Sequence, residues 1–312
     1  MAPARRVAAV DIGTNSCRLL VAEAVDGGGF TTLDRRIRIT RLGQDVDAAG
    51  RLADAAIRRN VDAVAAYAAV WRALGVTDAV RITATSAARD SANAADFAAA
   101  VEAAAGVAPE VLSGADEAAT SFRGALSGLP GAARPALVLD IGGGSTELIR
   151  GSDGPEASTS RQLGCVRLTE RVLLGDPPTE AQVARAREVI AAELDAVEAL
   201  VDPAAAATLI AVAGTATTLA ALHQGLPAYE PGVVHGTELP AGAVAELAER
   251  LLGMPAASIA ALGPVEGGRE DVLAAGALIL TAVLERFGFD RVVVSETDIL
   301  DGLALGLLEH AG

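Results

Sequence analysis

No lysine occurs anywhere in the 312 residues, so all 25 basic side chains are arginines. This excludes a Walker A phosphate loop and a Schiff-base enzyme, both of which need the lysine amine. Any anion must be held by arginine, by backbone N–H groups or by metal. Cysteine is nearly absent too: Cys17 and Cys165 cannot build a disulfide framework, and they suit a reducing, cytoplasmic setting. His223, His235 and His310 are too scattered along the chain for a zinc site. Aromatic residues make up 3% of the chain, so its cores must be packed with Ala, Val, Leu and Ile, and platforms for a nucleobase are scarce. The opening MAPARRVAAV carries two arginines but no long apolar run, which argues against a signal peptide, a membrane span and any membrane partner. Positive charge is also scarce. At a formal net charge of -15 the chain lacks the broad basic surface of a nucleic-acid binder.

What is present is enough for a large fold. Half the residues are apolar (51%), and the length exceeds that of one ordinary domain, so two domains are expected. Val7–Val10 and Leu19–Ala22 read as a hairpin about a polar turn, with further short strands after it. A helix is expected over Ala53–Leu74, closed by Gly75. A strand over Ala79–Ala84 should lead into a loop from Thr85 to Asp90, then a helix to about Ala105, a short strand at Pro109–Leu112 and a helix from near Ala115. Gly128–Pro135, rich in Gly, Pro and Ala, is the expected domain boundary. Beyond it the sequence predicts helices over Glu180–Leu200, Ala241–Leu252, Asp271–Phe287 and Leu300–Glu309, a strand and glycine turn at Leu209–Thr215, and a strand at Arg291–Val294. Strands alternating with helices define an α/β protein.

One pattern occurs twice. VLDIGGGSTELI set beneath AVDIGTNSCRLL aligns Asp140 with Asp11, Gly142 with Gly13, Ser145 with Ser16 and Leu148 with Leu19. The match marks two related lobes. In each copy a strand ends at an aspartate, and a turn follows that offers several N–H groups beside Ser or Thr hydroxyls: Gly13, Thr14, Asn15 and Ser16, then Gly142, Gly143, Gly144 and Ser145. Such a turn can cradle phosphate. One copy alone would read as an ordinary hairpin with a polar tip; the repetition favours the cradle. Asp11 and Asp140 are then expected to face each other across a cleft and to hold a hydrated magnesium ion. Glu147 follows the second turn closely and should lie near a bound phosphate. Glu117, in LSGADEAATSFRGA, sits in the first turn of a helix, where a solvated carboxylate is the simpler reading. Arg89 follows a strand end, where a guanidinium could clamp phosphate; Arg18, Arg167 and Arg269 are further candidates.

DIGTNSCRLL, ATSAARDSAN, LSGADEA, DIGGGSTEL, LGCVRLTER, AVAGTATTLAAL, GREDVLAAGALIL and VSETDILDGLALG stand in this order over nearly the whole chain. Together they resemble the exopolyphosphatase and guanosine pentaphosphate phosphohydrolase (Ppx/GppA) family. The resemblance implies a two-lobed, actin-like (ribonuclease-H-like) fold with an interlobe cleft. Its lobes would be residues 1–127 and 135–297, with a C-terminal helix at about 298–312 packing back on the first. It also implies that Glu117 is the base, that Glu147 helps to place water or metal, that Asp140 ligates magnesium, and that Arg89 and the two turns grip phosphate. Two departures matter. The family usually has Glu-Glu where this chain has Asp116-Glu117, so Asp116 is an alternative base. Longer members carry C-terminal helical domains that are not found in this sequence, so short chains are the expected substrates.

The implied activity is magnesium-dependent release of orthophosphate from the end of inorganic polyphosphate. Manganese could replace magnesium, a monovalent cation such as K+ could assist, and a homodimer is the family expectation. The alternative is removal of the 5′ phosphate of pppGpp, disfavoured by the shortage of aromatic residues. A superfamily kinase would need an adenine pocket and an acceptor site, for which the sequence shows no signal. A non-catalytic nucleotide-binding protein would have no use for both Glu117 and Glu147.

Overall fold

The computed structural model describes residues 5–309, so His310 lies outside the described residues. The chain forms two compact units: one runs to Gly124 and resumes at Ile299, and the other is Ala125–Asp298. The first crossing falls within the helix Gly114–Gly128 and the second at the start of the helix Ile299–Glu309.

The first unit is built on strands β1 (Arg6–Ile12), β2 (Ser16–Ala24), β3 (Phe30–Ile39), β4 (Val80–Ala84) and β5 (Glu110–Val111), in the order β3-β2-β1-β4-β5. β1 to β3 are antiparallel, while β4 and β5 run parallel to β1. The period of two along a strand sorts the side chains of β1 onto opposite faces. Ala8, Val10 and Ile12 pack with Tyr67 and Trp71 of the helix Asp54–Ala73 and with Phe97 and Val101 of the helix Ala94–Ala105. Val7 and Ala9 pack with Ile299, Leu300, Leu303 and Ala304 of the last helix. Asp11 continues that second row.

The second unit repeats the plan. β6 (Ala136–Ile141), β7 (Thr146–Gly151), β8 (Pro155–Arg161), β9 (Thr208–Val212), β10 (Glu238–Pro240) and β11 (Arg291–Val294) lie in the order β10-β11-β9-β6-β7-β8. From β8 inward this is the order of the first unit, with antiparallel β10 added at the far edge. Helices Glu180–Val201, Ala213–His223, Ala241–Leu252 and Leu273–Phe287 bury Leu, Ile, Val and Ala against the sheet. The longest of them starts from a capping box in which Thr179 and Gln182 satisfy each other's backbone amides.

Three local expectations change. The further short strands expected between the hairpin and the helix from Ala53 are one ten-residue edge strand, β3, whose mostly exposed side chains hide its period. The loop after β4 contains a helical turn, Ser86–Arg89, closed by Arg89 N–H on Thr85 O. The expected glycine turn near Gly214 is instead the start of a helix: Ala213 takes φ 65° and the chain winds directly into Ala213–His223. Among the described residues no helix is long and apolar enough to cross a membrane.

Candidate active site

In the first unit, Asp11 lies at the end of β1 and the turn after it is closed by Gly13 N–H on Ser16 O at 2.9 Å. The amides of Thr14 and Asn15 meet no acceptor among the described residues, whereas the carbonyls of these two residues are occupied. Asn15 O accepts from Thr40 and Arg41, and Thr14 O accepts from Gly43. A turn with occupied carbonyls and free amides is electropositive, as an anion cradle must be. The Thr14 hydroxyl contributes to support rather than to the cradle: it is buried, 2.8 Å from the Ser86 hydroxyl.

Glu117 is 7% exposed, and its carboxylate accepts from Arg89 Nη1 at 3.0 Å. The same nitrogen donates to Leu112 O at 2.8 Å. The guanidinium is thereby fixed against a buried carboxylate and has other N–H donors to offer a phosphate. The neighbouring Asp116 is exposed and is engaged by the helix cap Ser113, whose Oγ accepts the Asp116 amide at 3.1 Å and donates to its carboxylate at 2.7 Å. Of the two acidic residues named from sequence, only Glu117 is shown in contact with Arg89.

The second unit rebuilds the turn with the same closure, Gly142 N–H on Ser145 O at 3.0 Å. The amides of Gly143, Gly144 and Ser145 meet no acceptor among the described residues, while the carbonyls of residues 142–144 are held by Cys165, Val166 and Arg167. Arg167, one of the further candidates named from sequence, is 9% exposed and its Nε donates to Gly144 O at 2.7 Å. Gly164 makes this close support feasible, because a Cβ there would lie 2.3 Å from Gly143 O.

Asp140 and Glu147 face each other across β6 and β7 in the pairing register, so both carboxylates lie on one face of the sheet. They are 8% and 1% exposed, and Glu147 Oε1 accepts from Ser160 Oγ at 2.6 Å. Two buried carboxylates side by side offer a pair of hard oxygen donors. Magnesium, which characteristically takes one or two carboxylates together with substrate phosphates, fits this donor pair. Among the described residues no group of three or more His, Cys, Asp or Glu comes together as a metal site. Asp11 differs from Asp140, since its Oδ2 is taken by Arg18 Nη2 at 2.7 Å. The expectation that Asp11 ligates the metal therefore meets a carboxylate already engaged by a cation.

Arg269 Nε donates to Glu266 at 3.2 Å, and the guanidinium rests on the backbone at Gly214. Ser86, Ser160, Gly43 and Gly164, which hold the site residues in place, were not among the sequence candidates. Their only signal is proximity in space.

A ribonuclease-H-like sheet order built twice, each copy with an aspartate at the end of its first strand, defines the actin-like class of α/β proteins. The chain belongs to the Ppx/GppA phosphatase family, whose model matches residues 20–311. It is 44% identical over 314 residues to Exopolyphosphatase 2 of Mycobacterium tuberculosis H37Rv, covering 97% of this chain and 98% of that protein. The crystal structure of the Aquifex aeolicus family member superimposes with a TM-score of 0.83 at 32% identity, covering 99% of this chain and all (100%) of that one. An exopolyphosphatase-like protein gives a TM-score of 0.91 at 36% identity, covering 98% of each chain. The actin-like fold class implied by the sequence resemblance is the one observed.

Proposed function

We propose that this protein is an exopolyphosphatase that hydrolyses the terminal phosphoanhydride of inorganic polyphosphate and releases orthophosphate in the cytoplasm. The observation that carries this reading is the buried Glu117–Arg89 pair in a unit that also presents a free-amide turn, because a base held beside a phosphate clamp suits attack by water on phosphorus. The high identity to Exopolyphosphatase 2 over nearly the full length supports the same substrate.

In this reading Glu117 takes the proton of the attacking water while a new P–O bond forms to the terminal phosphorus. The bridging P–O bond breaks and leaves the shortened chain. Arg89 holds the Glu117 carboxylate and donates its remaining N–H groups to the terminal phosphate. The amides of Thr14 and Asn15 hold non-bridging oxygens. Asp140 and Glu147 would hold magnesium, which when bound supplies positive charge to the phosphate oxygens. Tyr67, Trp71, Phe97 and Phe122 are buried in cores, which leaves few rings for a guanine base and favours polyphosphate over pppGpp.

The test is orthophosphate release from tripolyphosphate, long polyphosphate, pppGpp and ATP, with and without magnesium, by the parent protein and by Glu117→Gln. Polyphosphate should be the preferred substrate, and Glu117→Gln should lower kcat by about 10²- to 10⁴-fold with little change in KM. Preference for pppGpp would replace the substrate assignment; unchanged turnover in Glu117→Gln would overturn the base assignment.

A further inference from the structure

Most arginines of this lysine-free chain are spent on carboxylates: Arg36 on Asp34, Arg81 on Glu110, Arg150 on Glu156 and Arg286 on Glu198, among others. Arg5 and Arg72 meet no acid, but they close the carbonyl ends of the helices Ile299–Glu309 and Ala94–Ala105. One stretch of the first unit differs. Exposed Arg38, Arg51, Arg58 and Arg59 meet no carboxylate among the described residues.

The fold brings this stretch to the residues that support the first turn. Thr40 and Arg41, whose amides hold Asn15 O, are themselves held by Arg59, whose Nε donates to Thr40 O at 2.8 Å and Nη2 to Arg41 O at 3.2 Å. Arg59 stands on the helix Asp54–Ala73, and Asn60 beside it accepts from Thr40 Oγ1 at 2.8 Å. Arg38, two residues back along β3, has its guanidinium carbon 5.9 Å from the centroid of the Tyr67 ring, which orders the cation without neutralising it. Arg51 is fixed from both sides: Ala92 N–H donates to Gly50 O at 3.0 Å, and Leu52 N–H donates to Asn93 Oδ1 at 2.8 Å. These bonds set it beside the segment that follows Arg89. Arg58 contributes least, because Asp54 and Asp62 stand one helical turn to either side of it. Arg41, Asp45 and Asp47 have interactions of their own.

In a chain of net charge -15, positive charge left without a carboxylate is where a polyanion can settle. We infer that Arg38, Arg51 and Arg59 form a subsite for the body of the polyphosphate chain, outside the groups that hold its terminal phosphate. The inference rests on the polyphosphate reading and adds chain length to it. Every phosphate of a linear polyphosphate carries negative charge, so a chain that extends past the terminal site lays charge on this patch and displaces its counterions. A guanidinium presents planar N–H donors that grip phosphate oxygens in pairs. Arg38 and Arg51 donate no hydrogen bond to the described residues, so all their donors face outward for this task. Tripolyphosphate is held by the terminal site alone. Long chains are therefore preferred, the reverse of the length preference expected from the sequence.

Calorimetric binding of tripolyphosphate and of long polyphosphate to the full chain, without magnesium so that no turnover occurs, tests the subsite. Per chain end, the parent should bind long polyphosphate at least about tenfold more tightly, and that affinity should fall more steeply with salt. In Arg38→Gln/Arg51→Gln/Arg59→Gln the affinity for long polyphosphate should drop about 10- to 100-fold, that for tripolyphosphate should stay within about twofold, and the two salt slopes should converge. Arg250→Gln removes an exposed arginine of the second unit that also meets no carboxylate, and it should change neither affinity. Equal losses for both ligands in the triple variant, or an equal loss in Arg250→Gln, would overturn the inference, and no loss at all would make the patch a solvated face. Because Arg59 also supports the backbone of the first turn, Arg38→Gln/Arg51→Gln is the second test, with about a three- to tenfold loss expected for long polyphosphate only. Failure of the parent to release orthophosphate from polyphosphate would refute the proposed function, while the magnesium-free comparison would still decide the subsite.

Discussion

At the residue scale, burial sets the chemistry of several groups that look alike in sequence. Asp116 and Glu117 are adjacent acids, yet the helix turns one into water beside its cap Ser113 and the other inward to Arg89. The two cysteines show the same control by environment. Both thiols are free and buried. Burial pushes the Cys165 thiol up to about 11 from its ordinary 9.0, and burial together with the Asp11 charge raises Cys17 further. In both cases the neutral thiol is favoured in the native state. The sign for stability follows. The folded state binds more protons than the unfolded chain above the ordinary thiol value, so stability is intact below about pH 9 and falls as pH rises toward the folded value. Denaturant melts between pH 7 and 10.5 should show this alkaline loss, and Cys17→Ala/Cys165→Ala should show a shallower one. An identical pH slope in the double variant would exclude the thiols as its cause. In the same pH range a thiol reagent should label the native protein slowly and the denatured protein at both cysteines.

At the scale of elements, each turn depends on a buttressing segment that returns from the third strand of its sheet. Gly43 presses on Thr14, and Gly164 on Gly143. A Cβ at Gly164 would meet backbone atoms rather than a flexible side chain, so Gly164→Ala must move the second turn. We expect a loss of about 1–3 kcal/mol in stability, read by denaturant melts, together with a higher KM from the displaced amides. Unchanged stability and KM would mean that the segment yields without disturbing the turn. The sequence disclosed the turns themselves because a polar, Gly-rich interruption between two apolar strands is a local signal, and the duplication doubled it. It did not disclose the buttresses, since contacts such as Gly164 with Gly143 or Ser160 with Glu147 join residues whose proximity only the sheet creates. The helices at 180–201 and 241–252 were legible in the sequence, which expected them over 180–200 and 241–252. β3 was fragmented because an edge strand rich in arginine has little apolar pattern to read. The Arg18–Asp11 pair was hidden for a related reason: residues seven apart in sequence become neighbours only when the hairpin register is known.

For the whole molecule, the order of crossings makes the two units unequal. Residues 125–298 are continuous and contain a complete six-stranded sheet with its own core, from Leu137 and Leu139 through Ile190 and Leu194 to Leu278 and Val292. The first unit needs both parts of its chain, because Ile299, Leu300, Leu303 and Ala304 complete the layer over Val7, Ala9, Leu20 and Ala22. Burying an aliphatic side chain is worth about 1.5–3 kcal/mol, and the three large residues of that helix together approach the about 5–15 kcal/mol that holds a domain folded. Ending the chain at Asp298 should therefore unfold the first unit while the second remains folded. Circular dichroism and hydrogen exchange on that truncated chain should show protection retained in β6, β7 and β9 and lost in β1, β2 and β4. The segment 125–298 expressed alone should melt cooperatively and still bind Mn2+ through Asp140 and Glu147. Loss of protection in both units on truncation would show that the second unit cannot hold its fold without the first.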